Sequence, residues 1–144
     1  MKVQQISIFI ENQAGRLAEV TRCLAEGNIN IRALSLADTQ DFGILRLIVN
    51  DVQAARKLLE EKSFTVGITD VVAIKVPDKP GGMAAILAIL DNCNINVEYM
   101  YAYVDRDFQD NAVIIFRFEN LDDAIACLTA QGVDIVKGSE LYGM

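Results

Sequence analysis

A repeat within the chain is the feature that most constrains its fold. When Gly15 is aligned with Gly81, the apolar residues of the first half match those of the second half. The clearest match sets Asn28-Ile29-Asn30-Ile31 against Asn94-Ile95-Asn96-Val97. Beyond the loop that follows, the register slips by three residues, as a loop insertion in a duplicated unit would cause. The chain is therefore predicted to contain two copies of one module.

A short turn occupies the same place in both copies. It reads Asn12-Gln13-Ala14-Gly15-Arg16 in the first copy and Asp78-Lys79-Pro80-Gly81-Gly82 in the second, each time between a strand-like and a helix-like run. Asn and Asp are favourable helix N-caps, and Pro in the first helical turn costs no hydrogen bond. Unpaired N–H groups at a helix start suit a carboxylate or another small anion. One such turn would indicate only a well-capped helix, whereas two in register favour a binding role.

The spacing of apolar residues predicts the element order βαββαβ in each copy. In the first copy the predicted elements are strand 3–10, helix 15–26, strands 30–38 and 42–50, a helix from its cap at residue 51 to residue 62, and strand 64–68. In the second copy they are strand 70–76, helix 80–92, strands 96–105 and 112–118, helix 121–131 and strand 133–136. This is the split βαβ or ferredoxin-like arrangement, in which two helices cover one face of a four-stranded antiparallel sheet.

The predicted fold class is therefore α+β, with two tandem ferredoxin-like modules at residues 1–69 and 70–144. Apolar residues make up 52% of the chain, which is enough for each module to bury a core. Only residues 67–70 separate the two copies. We therefore expect the modules to lie against one another rather than to swing freely.

Charge and cysteine usage restrict the setting of the protein. A net charge of −7 argues against nucleic acid or an anionic membrane as the main partner. The longest apolar stretch, residues 83–90, is too short to span a bilayer, and no charged-then-apolar leader is present. The cysteines, Cys23, Cys93 and Cys127, have no paired spacing and are interpreted as near-core thiols of a reducing compartment, without a disulfide or a metal. A cytoplasmic protein is expected.

One face of the predicted sheets carries more apolar residues than a solvent-facing surface needs. Six strand residues share one phase along the third strands: Ile44, Arg46, Ile48, Val113, Ile115 and Arg117. Arginine does not fit beneath the helices, so this phase is assigned to the helix-free face, where Phe9 joins it. A face this apolar needs a cover, and the simplest cover is a second chain, so we expect a homodimer.

Two further stretches have more than one interpretation. Tyr99, Tyr101 and Tyr103 alternate along one strand and therefore share a face. They form either an ordinary aromatic strand surface or the lining of an interface or ligand cleft. The helical stretch 83–90 has no charged face, which predicts burial on more than one side.

The residues of the chain do not support a catalytic site. The absence of histidine excludes a histidine-based triad, general base or metal cluster, and no cysteine pair has zinc spacing. The loop 105–110 is similar to a calcium loop, but Asp110 stands where glycine is needed and Phe116 where the closing glutamate is needed. Arg16 and Lys79 flank the turns, either as ordinary solvent-facing side chains or as candidate electrophilic groups. No enzyme activity, metal or cofactor is expected.

The motifs resemble those of the ACT domain. The resemblance rests on the βαββαβ order, on Asp78-x-Pro80-Gly81 between the first strand and first helix, and on the Asn-Ile-Asn motif before the second strand of each copy. Both copies carry the pattern, so the resemblance covers nearly the whole chain. It implies a stand-alone tandem ACT protein with a regulatory role.

The resemblance also implies where a ligand binds. Members of the family hold a small molecule, most often an amino acid, at the turn after the first strand, where two domains meet. The positions that correspond are Asn12, Gln13, Ala14, Gly15, Arg16 and Leu17 in the first copy, and Asp78, Lys79, Pro80, Gly81, Gly82 and Met83 in the second. Backbone N–H groups at the glycines would take a carboxylate, and the Asn12 or Asp78 oxygen an ammonium. The first copy departs from the pattern at Asn12 and Ala14, so equal affinity is not expected.

Three functions compete on these observations. The first is an amino-acid-binding regulatory protein in which ligand occupancy alters how subunits or partners pack. The second is a structural interaction module whose apolar sheet face or tyrosines hold a partner enzyme or regulator, with degenerate ligand sites. The third is a small enzyme on a ferredoxin-like scaffold, which the lack of a poised nucleophile makes the weakest.

Overall fold

The predicted element order is present in the computed structural model, which describes residues 1–38, 41–103 and 110–142. The elements are β1 (Val3–Glu11), α1 (Arg16–Glu26), β2 (Ile31–Asp38), β3 (Phe42–Val49), α2 (Val52–Glu61), β4 (Thr65–Pro77), α3 (Gly82–Asn92), β5 (Val97–Tyr103), β6 (Asn111–Phe118), α4 (Leu121–Ala130), β7 (Ile135–Val136) and α5 (Gly138–Tyr142). The prediction of two tandem βαββαβ copies in an α+β fold is confirmed. The short helix α5 was not predicted.

The predicted linker between the copies is part of a strand. Residues 67–70 lie within β4, which runs without a break over 13 residues. The two strands predicted at 64–68 and 70–76 are therefore one. The chain divides into two compact units: an N-terminal unit of Gln4–Thr69 joined by Tyr142, and a C-terminal unit of Asp70–Leu141 joined by Met1–Val3.

The N-terminal unit builds its core on one side of β1 and β3. Its strands follow the order β2-β3-β1-β4, and β3 pairs antiparallel with both β1 and β2. Alternate residues of β1 and β3 face α1 and α2 because strand side chains alternate between the faces of a sheet. Most of the core residues from these strands and helices are inaccessible to solvent: Ile6, Ile8, Leu47, Val20, Leu24, Ala55 and Leu59.

The C-terminal unit repeats this construction. There β4 pairs antiparallel with β6 and β7, and β6 pairs with β5. The core lies between these strands and the helices α3 and α4, and its larger members are Ile74, Phe116, Phe118, Ile86, Leu90 and Leu128. The rings of Phe116 and Phe118 stack with centroids 5.4 Å apart.

The second helix of each copy is capped by a side chain. The Asp51 carboxylate accepts a hydrogen bond from the Ala54 amide at 3.1 Å, as the sequence predicted. The Asn120 side chain accepts from the Asp123 amide at the same distance. Both residues have the extended backbone of an N-cap, so α2 and α4 begin in the same way.

The predicted residues do lie on the helix-free face of the sheet, but most of them are not exposed there as expected. Arg46 pairs with Ser7 and Ile44 with Phe9, opposite in phase to the core residues. However, Ile48 and Ile115 have no accessible surface and Val113 only 2%. The expectation that these residues need a second chain to cover them is wrong, because they are already buried in a single chain. Phe9 remains 47% exposed.

The prediction for helix α3 is wrong in part, whereas the shared face predicted for the tyrosines of β5 is present. Ile86 and Leu90 are buried in the C-terminal core, with Met83, Leu87 and Ile89 half-buried against it. The remaining side of α3 is exposed and carries Ala84, Ala85 and Ala88, so the helix is not buried on several sides. The tyrosines share a face as predicted, since Tyr99, Tyr101 and Tyr103 pair with Arg117, Ile115 and Val113.

The interpretation of the cysteines was wrong for two of the three. Cys93 and Cys127 form a disulfide with an S–S distance of 2.10 Å, while Cys23 is free and buried. The two partners are 34 residues apart and come together because α3 and α4 lie side by side, which their spacing did not indicate. The bridge removes the cysteine argument for a reducing compartment.

The remaining sequence expectations concern metal binding and membrane-spanning helices. The loop rejected as a calcium site lies outside the described residues except for Asp110. Within the described ranges, no group of acidic or cysteine side chains is arranged to hold a metal ion. Among the helices described, none has the length and apolar content needed to cross a bilayer.

Candidate functional site

The two predicted turns have the same backbone conformation. Gly15 has φ 90° and ψ −18°, and Gly81 has φ 88° and ψ −8°, the left-handed region that favours glycine. These glycines, rather than Asn12 and Asp78, are the N-caps, and neither α1 nor α3 receives a side-chain cap. The predicted capping roles of Asn12 and Asp78 are therefore wrong, and both helices begin after the positions expected from the sequence.

The hydrogen bonds of the turns repeat as well. In the first turn, the Gln13 amide donates to Glu11 O at 2.8 Å and the Arg16 amide to Gln13 O at 3.3 Å. The Asn12 amide donates to Asp41 O at 2.9 Å, which ties the turn to the start of β3. In the second turn, the equivalent bonds are Lys79 to Pro77 at 2.9 Å, Gly82 to Lys79 at 3.0 Å and Asp78 to Asp110 at 3.0 Å. The backbone hydrogen bonds that fix the turn are thus the same in both copies.

Fixing the turn in this way leaves a set of amide donors available. The first intrahelical bonds are those from Glu19 to Gly15 and from Ala85 to Gly81, both at 3.0 Å. The amides of Ala14, Gly15, Leu17 and Ala18 have no acceptor among the described residues, and in the second copy the same is true of Gly81, Met83 and Ala84. The second copy lacks one donor because Pro80 has no N–H. Such groups at a helix start attract an anion.

A cavity of about 310 Å³ opens beside the first turn. Five of the six residues predicted for this copy line it: Asn12, Gln13, Ala14, Gly15 and Leu17. The remaining lining residues, Ile10, Glu11, Leu36 and Gly43, come from β1, β2 and β3 and were not predicted. Ile10 and Leu36 contribute apolar residues to the lining, and Glu11, which is exposed, contributes an acidic one. The structure therefore brings free amides, an acidic group and an apolar surface together.

Gly43 keeps space open in this cavity. A methyl group at this position would lie 3.3 Å from Leu36 Cδ1 and 3.5 Å from Ile10 Cγ1. A glycine just inside a strand often marks the close approach of another group. This was the one signal in the sequence that could have located the strand side of the cavity.

Arg16 is the exception among the predicted residues of the first copy. Its guanidinium lies over the Phe64 ring at 5.0 Å from the centroid and pairs with Glu19 at 2.6 Å. It lines a separate cavity of about 430 Å³ together with Cys23 and Lys62. Burial raises the pKa of the Cys23 thiol, while the charge of Lys62 lowers it to a smaller extent. Arg16 is therefore directed away from the cavity beside Gly15.

The second turn has different walls. The strand pairings place Ala102 where the first copy has Leu36, and Ala112 where it has Gly43. Residues Asp78, Lys79, Pro80 and Gly81 are exposed, Met83 is half-buried and Gly82 is buried. A Cβ atom added at Gly82 would collide with the Pro77 carbonyl oxygen. Glycine is thus required here by close packing, whereas the first copy accommodates Arg16.

Comparison with known proteins supports the repeated architecture. A model of the family described as an ACT domain pair matches residues 1–144. Protein BT0572 from Bacteroides thetaiotaomicron is 43% identical in a crystal structure with a TM-score of 0.93, over 100% of this chain and 98% of that one. Among curated proteins, no match was found.

More distant solved structures share the fold. The regulatory subunit of aspartate kinase from Thermus thermophilus, in a ligand-free form, is 18% identical with a TM-score of 0.63, over 88% of this chain and 91% of that one. The corresponding subunit from Thermus flavus is 17% identical with a TM-score of 0.60, over 88% and 90%. The whole-chain match to the family decides the assignment. The chain belongs to the ACT domain pair family, as the repeated motifs predicted.

Proposed function

We propose that the protein is a non-catalytic regulatory protein that binds a small molecule, an amino acid, at its strand-to-helix turns. The observation that carries the proposal is the left-handed turn at Gly15, beside a cavity of about 310 Å³. Four amides of this turn have no acceptor in the part of the chain that the structure describes. Small-molecule sites have volumes from about 300 Å³ upward, so this cavity suits a ligand of amino-acid size. The fold shared with regulatory subunits of aspartate kinase supports a regulatory role.

Each part of an amino acid has a matching group in the first turn. The carboxylate would accept hydrogen bonds from the amides of Gly15 and Leu17, where the start of α1 adds a partial positive charge. The ammonium would approach the side-chain oxygen of Asn12 or the carboxylate of Glu11, since both residues line the cavity. The side chain would contact Ile10 and Leu36. Because these walls are aliphatic, an apolar amino acid fits better than a charged one.

The second turn is proposed as a weaker site or a structural one. Counting acceptors among the described residues only, it has three unpaired amides in place of four, and Ala102 replaces Leu36 on the strand side. Each predicted module, at residues 1–69 and 70–144, thus carries one turn, with unequal affinities. Asp78 and Lys79 are exposed and would act only at the rim of the second turn.

A thermal-shift screen against the twenty amino acids at millimolar concentration tests the proposal. A ligand at about a hundred times its Kd adds roughly 2.7 kcal/mol to the free energy of unfolding, which is a clear rise in Tm. We expect one amino acid or a small related group to raise the Tm. If none of the twenty does so, amino-acid binding is excluded at these concentrations and the alternative below takes its place.

The alternative is an interaction module that holds a partner protein, and exposed apolar side chains favour it. Leu34, Leu36 and Phe42 of the N-terminal unit are each more than half exposed. Such residues commonly mark an interaction surface, here proposed for a second copy of the chain in a homodimer. Sedimentation of the protein and of Leu34→Glu tests whether this surface forms the homodimer. The homodimer predicts twice the chain mass for the wild type and a shift toward one chain mass for the variant.

A further inference from the structure

The disulfide of the C-terminal unit joins the ends of two helices. Cys93 is the C-cap of α3, and Cys127 lies in the last turn of α4. The bridge closes a loop that contains β5 and β6. Cys93 is exposed, while Cys127 is half-buried. Of the two bridged residues, Cys93 is therefore the more exposed to a reagent in solution.

In the N-terminal unit, the corresponding contact between helices α1 and α2 has no covalent link. The repeat aligns Cys93 with Gly27 and Cys127 with Leu58. Gly27 is the C-cap of α1, and a Cβ atom added there would collide with the Leu58 side chain. The repeat also aligns Cys23 with Ile89, and the same two positions are close together in both units. Cys23 Sγ lies 3.7 Å from Leu58 O in the N-terminal unit, and Cys127 Sγ lies 3.8 Å from Ile89 O in the C-terminal unit. A helix pair of this module can therefore form through packing alone, and the bridge is not a requirement of the fold.

The surroundings of Cys93 are open and negatively charged. Cys93 lines a cavity of about 580 Å³ together with Asn94, Asn96 and Asn120, and with the carboxylates of Glu119 and Asp123. No lysine or arginine lines this cavity, and within the described residues neither carboxylate forms an ion pair. A thiol that reaches Cys93 through the cavity thus passes two uncompensated negative charges.

We propose that the Cys93–Cys127 bridge is a site of thiol–disulfide exchange, attacked at Cys93 Sγ by a thiol whose own substituents are positively charged or neutral. The attacking thiolate forms a bond to Cys93 Sγ as the bond to Cys127 Sγ breaks. The electron pair leaves on Cys127 Sγ, which takes a proton from water and then faces Ile89 O as a thiol. A second thiol releases Cys93 by the same exchange, so that two reductant thiols become one disulfide. The reverse reaction, with that disulfide as oxidant, restores the bridge.

Thiol counting tests whether the bridge exists and is reversible. Protein purified without reductant and unfolded in denaturant should show one free thiol, that of Cys23, and three after reduction. Returning the native reduced protein to the oxidised form of a small dithiol should bring the count back to one. Three free thiols before reduction that persist in the presence of this oxidant would overturn the proposal.

The site of attack is tested by trapping the mixed disulfide. The protein is exposed briefly to cysteamine, quenched by alkylation and mapped by mass spectrometry. The cysteamine adduct is expected on Cys93 and the alkyl group on Cys127. An adduct mainly on Cys127 would contradict the assignment.

The charge preference is tested with two reagents on three proteins. At low salt, the exchange rate is measured with cysteamine and with 3-mercaptopropionate, and the first rate is divided by the second. This ratio is expected to be about threefold to tenfold lower in Glu119→Gln/Asp123→Asn than in the wild type. Removal of two surface charges several ångströms from the bridge would cause a change of this size. Because the reagents are the same for each protein, their own thiol pKa values cancel in this comparison. Glu26→Gln, in the other unit, should leave the ratio unchanged. A ratio unaltered by the double substitution would overturn the role of the cavity.

Discussion

The turn at Gly15 and the turn at Gly81 have φ values of 90° and 88°, and the same hydrogen bonds fix both. Their side-chain surroundings are nevertheless different: Leu36 and Gly43 stand beside the first turn, and Ala102 and Ala112 occupy the equivalent positions in the second. The helix pairs behind the turns differ as well, with Gly27 against Leu58 in one unit and a disulfide in the other. Duplication has preserved the backbone, while side-chain changes have made the copies chemically distinct.

The largest expected effect concerns the helix pairs. Cys93→Ser removes the bridge, and closing a loop of 34 residues stabilises a protein by about 3–4 kcal/mol in the chain-entropy account. The urea midpoint of the C-terminal unit should fall accordingly. Reduction of the wild type should give a similar loss, and reduction of the variant should add nothing. A loss of less than about 1 kcal/mol would show that packing alone holds α3 against α4, as it holds α1 against α2.

A smaller effect is expected where the turns meet their helices. Gly82→Ala places a methyl group against the Pro77 carbonyl and should cost about 1–3 kcal/mol, since the backbone must move. The equivalent substitution Arg16→Ala removes the ion pair with Glu19 and the contact with the Phe64 ring, both at a partly exposed side chain, and should cost about 1 kcal/mol. Chemical denaturation of both variants measures the difference. Equal losses would show that the two turns pack alike.

The glycine caps should respond equally. Alanine at Gly15 or at Gly81 has open space around its methyl group, so the cost is only that of the left-handed backbone, about 1–2 kcal/mol. The two variants are therefore expected to lose stability by the same amount within about 0.5 kcal/mol. A clear inequality in urea denaturation would contradict the claim that the backbones of the turns are the same.

The smallest effect is expected at the second helices. Asp51→Ala and Asn120→Ala each remove one side-chain hydrogen bond of 3.1 Å from a helix start. Each should cost about 1 kcal/mol. Since the two caps have the same geometry, unequal losses would indicate that one helix is supported by interactions that the other lacks.

The parts of the fold that were predictable from sequence are those determined by neighbours along the chain. The repeat and the alternation of apolar residues located the strands and helices, and Asp51 was identified as a cap from its position before an amphipathic run. The caps of α1 and α3 were missed because a left-handed glycine gives no side-chain signal in a single sequence. Asn12 and Asp78 were chosen instead for their propensity.

The parts that were not predictable depend on contacts between distant segments. The disulfide requires the ends of α3 and α4 to meet, and the cavity requires Leu36 of β2 to reach the turn after β1. Neither contact leaves a periodic pattern in the chain. The burial of Ile48 and Ile115 on the helix-free face was missed for the same reason, since their phase was evident but their cover was not.

The most direct test of the central claim compares the ligand response of Gly15→Val and Gly81→Val. Both substitutions force a β-branched residue into the same left-handed backbone, so their effects on the Tm without ligand should match. With the amino acid found in the screen, the rise in Tm should be lost in Gly15→Val and largely retained in Gly81→Val. Retention of the full rise in Gly15→Val would contradict the account, because the ligand would then bind away from the turn at Gly15.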